Sequence, residues 1–250
     1  MQRWKLTIEY DGHGFVGWQS QDNGVSVQQT LEQAVFRLSG QNVRLHVAGR
    51  TDSGVHALGQ VAHFDLEGKD YNEREMRNAL NVYVRPHHVS VVKAEKVSDE
   101  FHARFGAEKR YYRYVVLCRP SPPAIGYQYM WHVHRALDVD AMRDAVKHMI
   151  GTHDFSSFRA SECQAKSPIR TLDKVEIIED GDKLYFDVEA KSFLHHQVRN
   201  IMGTLKRVGD GSWHPDKVRD IIAAKSRSAA GPTAPAHGLF FVRVDYNENS

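Results

Sequence analysis

The chain has 250 residues, 26% of them charged, and a formal net charge of +2. That length can bury a sizeable core in one large domain or two smaller ones, and so even a balance does not by itself announce a polyanionic partner. No apolar run is long enough for a membrane span, and the start enters a strand-like pattern rather than a secretory signal. The two cysteines, Cys118 and Cys163, lack metal-ligand spacing and suit a reducing, cytoplasmic compartment.

Trp4–Tyr10 alternates apolar and polar residues, as a half-buried strand does, and breaks at Asp11-Gly12. The following loop, Gly12 to Gln21, interleaves glycines and amides with Phe15 and Trp18, side chains that could offer stacking faces to bases or pack as an ordinary surface loop. Ser26 is a fair helix N-cap, and Val27, Leu31, Ala34, Val35 and Leu38 recur at helical spacing until Gly40. Strands are predicted at Val43–Ala48 and Val61–Phe64, a helix at Asn72–Leu80 and a further strand at Val89–Val97.

The order repeats in the second half. Arg110–Cys118 is rich in aromatic and β-branched residues and reads as a strand, with Arg110, Tyr112 and Tyr114 on one face. Asp138 or Asp140 caps a helix that closes at Gly151. Val175–Glu179 and Lys183–Glu189 form a hairpin, helices run through Val198–Val208 and Pro215–Ala224, and Leu239–Tyr246 closes as a strand. This is an α+β pattern of two ferredoxin-like (RRM-like, βαββαβ) halves, 1–105 and 106–250. The halves would be related by a pseudo-two-fold, each an antiparallel sheet with helices on one face, with the active-site cleft between them.

Most of the chemistry converges on Gly49-Arg-Thr-Asp-Ser-Gly-Val-His-Ala57, a glycine-framed stretch between two strands. Glycines let a backbone take unusual dihedrals and let a ligand come close. Arg50, two residues from Asp52, can favour the ionised carboxylate and keep it ready as a nucleophile. The same residues are also ordinary turn chemistry. Two other motifs fail on spacing: Ser53 lacks the glycine two residues earlier that a nucleophile elbow needs, and His-Glu-x-x-His occurs nowhere.

The Gly49–Ala57 stretch resembles the signature loop of the TruA family of tRNA pseudouridine synthases. The resemblance makes Asp52 the catalytic nucleophile and Arg50 its substrate-binding neighbour. Five further blocks carry it. Tyr10-Asp-Gly-x-x-Phe-x-Gly-Trp-Gln-x-Gln21 resembles the family's opening motif, and His153–Phe158 is covered as well. Arg110-Tyr-Tyr-Arg-Tyr114 resembles the family's basic-x-Tyr-x-Tyr strand, whose tyrosine, here Tyr112, stacks near the target base, although a core tyrosine would look the same. Phe193 to Gly203 matches a helix start whose arginine, here Arg199, pairs with the catalytic aspartate. Ala234-Pro-Ala-His-Gly-Leu239 matches an ending whose leucine, Leu239, lines the uracil pocket. Gln197 is more polar than that pattern leads one to expect. His195 and His196, adjacent on a helix, would point apart and make poor joint metal ligands.

The resemblance implies isomerisation of uridine to pseudouridine in the anticodon stem-loop of tRNA by a homodimer that clamps its substrate. The reaction has no redox change and no group donor, so it calls for no cofactor and no metal. The target base must be flipped out of the stack, Arg50 fills or holds the vacated space, and Tyr112 stacks on the base and shuttles its proton. Two rivals are set against this: a catalytically silent pair of RRM-like halves, for which no strand has the required aromatic pattern, and a hydrolase using Asp52 and His56.

Overall fold

A computed structural model describes residues 1–247, which form a mixed α+β chain whose sheets are mainly antiparallel. The chain groups into two compact units, Met1–Arg110 together with the segment from Phe240 onward, and Tyr111–Leu239. No helix among the described residues is long and apolar enough to cross a membrane.

In the first unit, strand β1 (Gln2–Tyr10) is followed by helix α1 (Val27–Ser39), a short β2 (His46–Val47) and a long β3 (His56–Leu66). Helix α2 (Glu73–Tyr83) and β4 (Val89–Val97) follow. Strand β1 is central, antiparallel to both β3 and β4, and Trp4, Leu6, Ile8 and Tyr10 are its buried face. Ser26 caps α1 by accepting the Gln29 N–H at 3.1 Å, and α1 buries Val27, Leu31, Ala34 and Val35. Asn72 and Glu75 form a reciprocal capping box at the start of α2, which buries Met76 and Leu80. Each such large side chain contributes about 1.5–3 kcal/mol by leaving water.

The second unit begins on β5 (Ala107–Cys118), whose Arg110, Tyr112 and Tyr114 are buried while Tyr111 and Arg113 are half-buried. After it come β6 (Trp131–Val133), α3 (Val139–Lys147), β7 (Gly151–Asp154), β8 (Ile169–Asp180) and β9 (Lys183–Ala190). The strand order is β5-β9-β8-β7. Helix α4 (Gln197–Gly209) is nearly all buried, with Val198, Ile201, Met202, Leu205 and Val208 in the core, and α5 (Lys217–Ala224) follows. The last strand, β10 (Leu239–Tyr246), pairs in parallel with β3 at Phe240–His56 and Phe241–Ala57.

Candidate active site

Strand β3 starts at His56, so the loop that carries Asp52 is shorter than the sequence predicts and is held to its surroundings residue by residue. Arg110, 8% exposed, donates from Nε and one terminal nitrogen to the Ala48 carbonyl at 3.1 and 2.7 Å. The fully buried Gln60 donates to the Gly49 carbonyl at 2.7 Å. Thr51 accepts the Trp18 N–H at 3.0 Å through its carbonyl, and its hydroxyl lies 2.7 Å from that of Tyr10. Burial pushes the Tyr10 phenol up to about 12, so it keeps its proton. Beyond Asp52, the Ser53 hydroxyl donates to the Phe15 carbonyl at 2.9 Å, and the Val55 N–H donates to the Asp52 carbonyl at 3.2 Å.

Asp52 itself bridges to Gly17 of the N-terminal loop and is half-buried. Gly17 has φ of 113°, and a Cβ there would sit 2.8 Å from the Thr51 carbonyl oxygen, so no other residue lets the two loops meet this way. The turn chemistry of Asp-Ser-Gly and the special loop are therefore the same object: a turn whose first residue is fixed by contacts to other segments.

His56 does not sit as a hydrolase base would. It is 2% exposed, its ring stacks on Phe240 at 4.8 Å, and its Nδ1 accepts the Gly12 N–H at 3.0 Å. Asp11 Oδ1 also lies 3.0 Å from that nitrogen, and one Nδ1 cannot both accept and donate. Both contacts run from the His56 ring to Asp11-Gly12, so His56 holds the start of the N-terminal loop.

Arg50 is exposed. Partial burial, and then the like charges of Arg104 and Arg44, lower its proton affinity from the ordinary guanidinium value. No carboxylate among the described residues lies within ion-pair distance of it.

In the second unit, Tyr112 is 8% exposed and meets Phe193 edge-on, with ring centroids 5.1 Å apart. Its neighbour on the same face, Tyr114, donates to the Pro235 carbonyl at 2.8 Å, and burial raises its pKa far above the usual phenol range. Arg199 lies in the first turn of α4, half-buried. Its Nε donates to the Ala234 carbonyl at 2.8 Å while the Ala234 N–H donates to the Arg199 carbonyl at 3.1 Å. Asn200, fully buried, accepts Thr233 at 2.7 Å and Arg227 at 3.0 Å, and Thr204 accepts the Gly231 N–H at 2.9 Å. Helix α4 thus sets both Arg199 and the segment leading to Leu239, which is 5% exposed.

Gln197 caps the Leu194 N–H at 2.8 Å, which accounts for a polar residue there. One expectation fails. His195 and His196 do not point apart: they precede the helix, His196 is left-handed at φ 62°, and their rings are 4.0 Å apart. Helical spacing does not apply where the chain reverses.

Arg50 and Asp52 therefore share one unit, and Tyr112, Arg199 and Leu239 the other. Reasoning from sequence gave no role to Arg110, Gln60 or Asn200. Gln60 and Asn200 signalled themselves only as polar residues in the apolar register of a strand or helix, and Arg110 only as the basic residue that opens the Tyr112 strand motif.

A family model described as tRNA pseudouridine synthase matches residues 6–106 and 145–247. The match puts the molecule in the class of pseudouridine synthases, and its segments include Arg50, Asp52, Arg199 and Leu239 but not Tyr112. The chain belongs to the tRNA pseudouridine synthase family. Among similar proteins, tRNA pseudouridine synthase A of Rhodospirillum rubrum is 52% identical over 246 residues, covering 98% of this chain and 88% of that one. The protein of the same name from Rhodospirillum centenum is 52% identical over 246 residues, covering 98% and 100%. That from Ehrlichia canis is 51% identical over 245 residues, again covering 98% and 100%.

Proposed function

We propose that this chain isomerises uridine to pseudouridine in the anticodon stem-loop of tRNA, with Asp52 as nucleophile. The observation that carries the reading is a half-exposed carboxylate on a loop held through its backbone at Ala48, Gly49 and Thr51 and through the Ser53 hydroxyl, inside the segment matched to the family. Such a loop suits covalent catalysis, because a nucleophile held in place avoids the entropy cost of finding its target.

The target base leaves the stack at a cost of a few kcal/mol. The bond from ring nitrogen to the sugar breaks, uracil turns, and a bond from C5 to the same sugar carbon replaces it. The C5 hydrogen leaves as a proton and the freed nitrogen gains one, so the atoms balance without an oxidant or donor. Asp52 forms the transient covalent bond, Arg199 is the second catalytic group, Tyr112 stacks on the base, Leu239 packs against the uracil and Arg50 holds the vacated place in the RNA.

In this reading the two ferredoxin-like halves, 1–105 with the aspartate loop and 106–250 completing the uridine pocket, are related by a pseudo-two-fold. A cytoplasmic homodimer clamps one tRNA.

Tritium release from tRNA labelled at C5 of uracil tests the reading, since neither a silent RNA-binding module nor a hydrolase displaces that hydrogen. Wild-type protein should release tritium, and Asp52→Asn should abolish release while tRNA binding stays within a few-fold. Turnover of the variant within tenfold of wild type would remove Asp52 from the mechanism.

A further inference from the structure

Beside the aspartate loop the first unit carries a patch around Phe105 of which the proposed reaction uses only Arg50. Phe105 is 77% exposed, the guanidinium of Arg104 lies over its ring at 5.5 Å, and the ring of His102 lies 4.4 Å from it. The chain there is a tight turn: the Arg104 and Phe105 N–H groups both donate to His102 Nδ1, at 3.1 and 3.2 Å, and the Gly106 N–H donates to the His102 carbonyl at 2.9 Å. Behind it, His102 packs on His63 at 4.7 Å and His63 on His46 at 5.0 Å. The exposed aromatic is therefore mounted on a rigid base and not on a loose tip.

The charges around Phe105 are unusual. Arg104 and Arg50 are both exposed, and among the described residues neither has a carboxylate within ion-pair distance. They lie close enough for Arg104 to lower the proton affinity of Arg50. Arg110 joins this patch to the aspartate loop, since the nitrogen that donates to the Ala48 carbonyl at 2.7 Å also donates to the Arg104 carbonyl at 2.9 Å. One buried guanidinium thereby sets the spacing between the turn at Phe105 and the loop at Arg50 and Asp52.

We propose that Phe105, with Arg104 and Arg50, binds an RNA strand on its way to the aspartate loop, one nucleobase stacking on Phe105 and neighbouring phosphates meeting the two guanidinia. This rests on the reading of the chain as an RNA-modifying enzyme and adds where the strand runs. Stacking on an aromatic beside arginine is how single-stranded RNA is held without regard to sequence. A second copy of the chain fits worse: it would have to bring a carboxylate to each of the two guanidinia and an apolar pocket to Phe105, whereas an RNA strand carries a phosphate and a base at every nucleotide.

The experiment measures tRNA affinity and the KM and kcat of tritium release for Phe105→Ala, Phe105→Trp and Arg104→Ala, with thermal melting and size-exclusion light scattering alongside. Phe105→Ala should weaken binding and raise KM by roughly tenfold, the lower part of the range for one stacked base, and Phe105→Trp should restore both. A short single-stranded RNA should lose potency as a competitor against Phe105→Ala, whereas inorganic polyphosphate, which has charge and no base, should not. Equal losses for the two competitors, no change in KM, or a changed oligomeric state in Phe105→Ala would each overturn the proposal. If wild-type protein binds tRNA in a Phe105-dependent way but releases no tritium, the isomerase reading fails and this one stands. If it releases tritium and Phe105→Ala behaves as wild type, only this one fails.

Discussion

Arg110→Met tests whether the aspartate loop works because it is held. The side chain is 8% exposed and makes bonds of 3.1 and 2.7 Å to the Ala48 carbonyl and 2.9 Å to that of Arg104. A hydrogen bond to a charged group contributes about 1.5–3 kcal/mol, and a buried carbonyl stripped of its donor costs about 1–3 kcal/mol. Methionine fills a similar volume and also removes the several kcal/mol needed to bury a guanidinium, so the bonds cannot simply be summed. The net loss expected in urea denaturation is about 2–4 kcal/mol. Turnover should suffer separately, because a misplacement of about 1 Å at a reacting group costs on the order of a hundredfold. Single-turnover tritium release at saturating tRNA, at a temperature where both proteins are folded, isolates that effect from binding. Arg110→Lys, which keeps the charge without the fork, should fall between the two. A methionine variant that loses less than about 1 kcal/mol and turns over within twofold of wild type would refute the idea that this guanidinium positions the loop.

Arg199→Lys should lower kcat although the charge is kept, since one ammonium cannot serve the Ala234 carbonyl as Nε does and also present a two-pronged donor to a carboxylate; full turnover of the lysine variant would make Arg199 a structural charge. Burial, and then His102, Arg3 and His46, lower the pKa of the nearly buried His63 from 6.5 to about 4. The unfolded chain therefore binds more protons between those values, and stability should fall by about 3 kcal/mol as pH drops from 7 to 4. His63→Asn, which can still accept the Ala103 N–H, should flatten that slope in denaturation measured across the window, and an unchanged slope would assign it elsewhere. tRNA binding should weaken steeply with salt despite the net charge of +2, by roughly 0.7 to 0.9 in log–log slope per phosphate neutralised; a flat plot would mean that the arginines do not meet phosphates.

The aspartate loop was legible because its residues are consecutive, so a motif and its geometry coincide. Helices α1 and α2 were legible for a similar reason, with caps and apolar spacing lying within a dozen residues of one another. The end of the loop was not. Gly59 falls between the predicted strands Val43–Ala48 and Val61–Phe64, but it lies inside β3, where a Cβ would come 2.6 Å from the Val242 carbonyl oxygen. That glycine is required by the approach of β10, a strand about 180 residues away in sequence, and local composition carries no trace of it. The histidine pair failed for the opposite reason: helical spacing was extended one turn too early, across a left-handed residue that only the backbone reveals.

A sequence shows which polar side chains a segment owns and not what each is spent on. Tyr10, Gln60 and Arg110 are buried and serve Thr51, Gly49 and Ala48, so their chemistry is used up in holding the loop. Arg50 and Arg104 differ: both are exposed, and the charge of Arg104 lowers the proton affinity of Arg50. Two unit charges near a protein surface repel by up to a few kcal/mol at contact and by less with separation and salt. Folding alone gives no reason to bear that repulsion beside the Asp52 loop. A ligand that supplies the missing countercharge does, and a chain of phosphates passing over Phe105 toward Asp52 supplies it at both guanidinia.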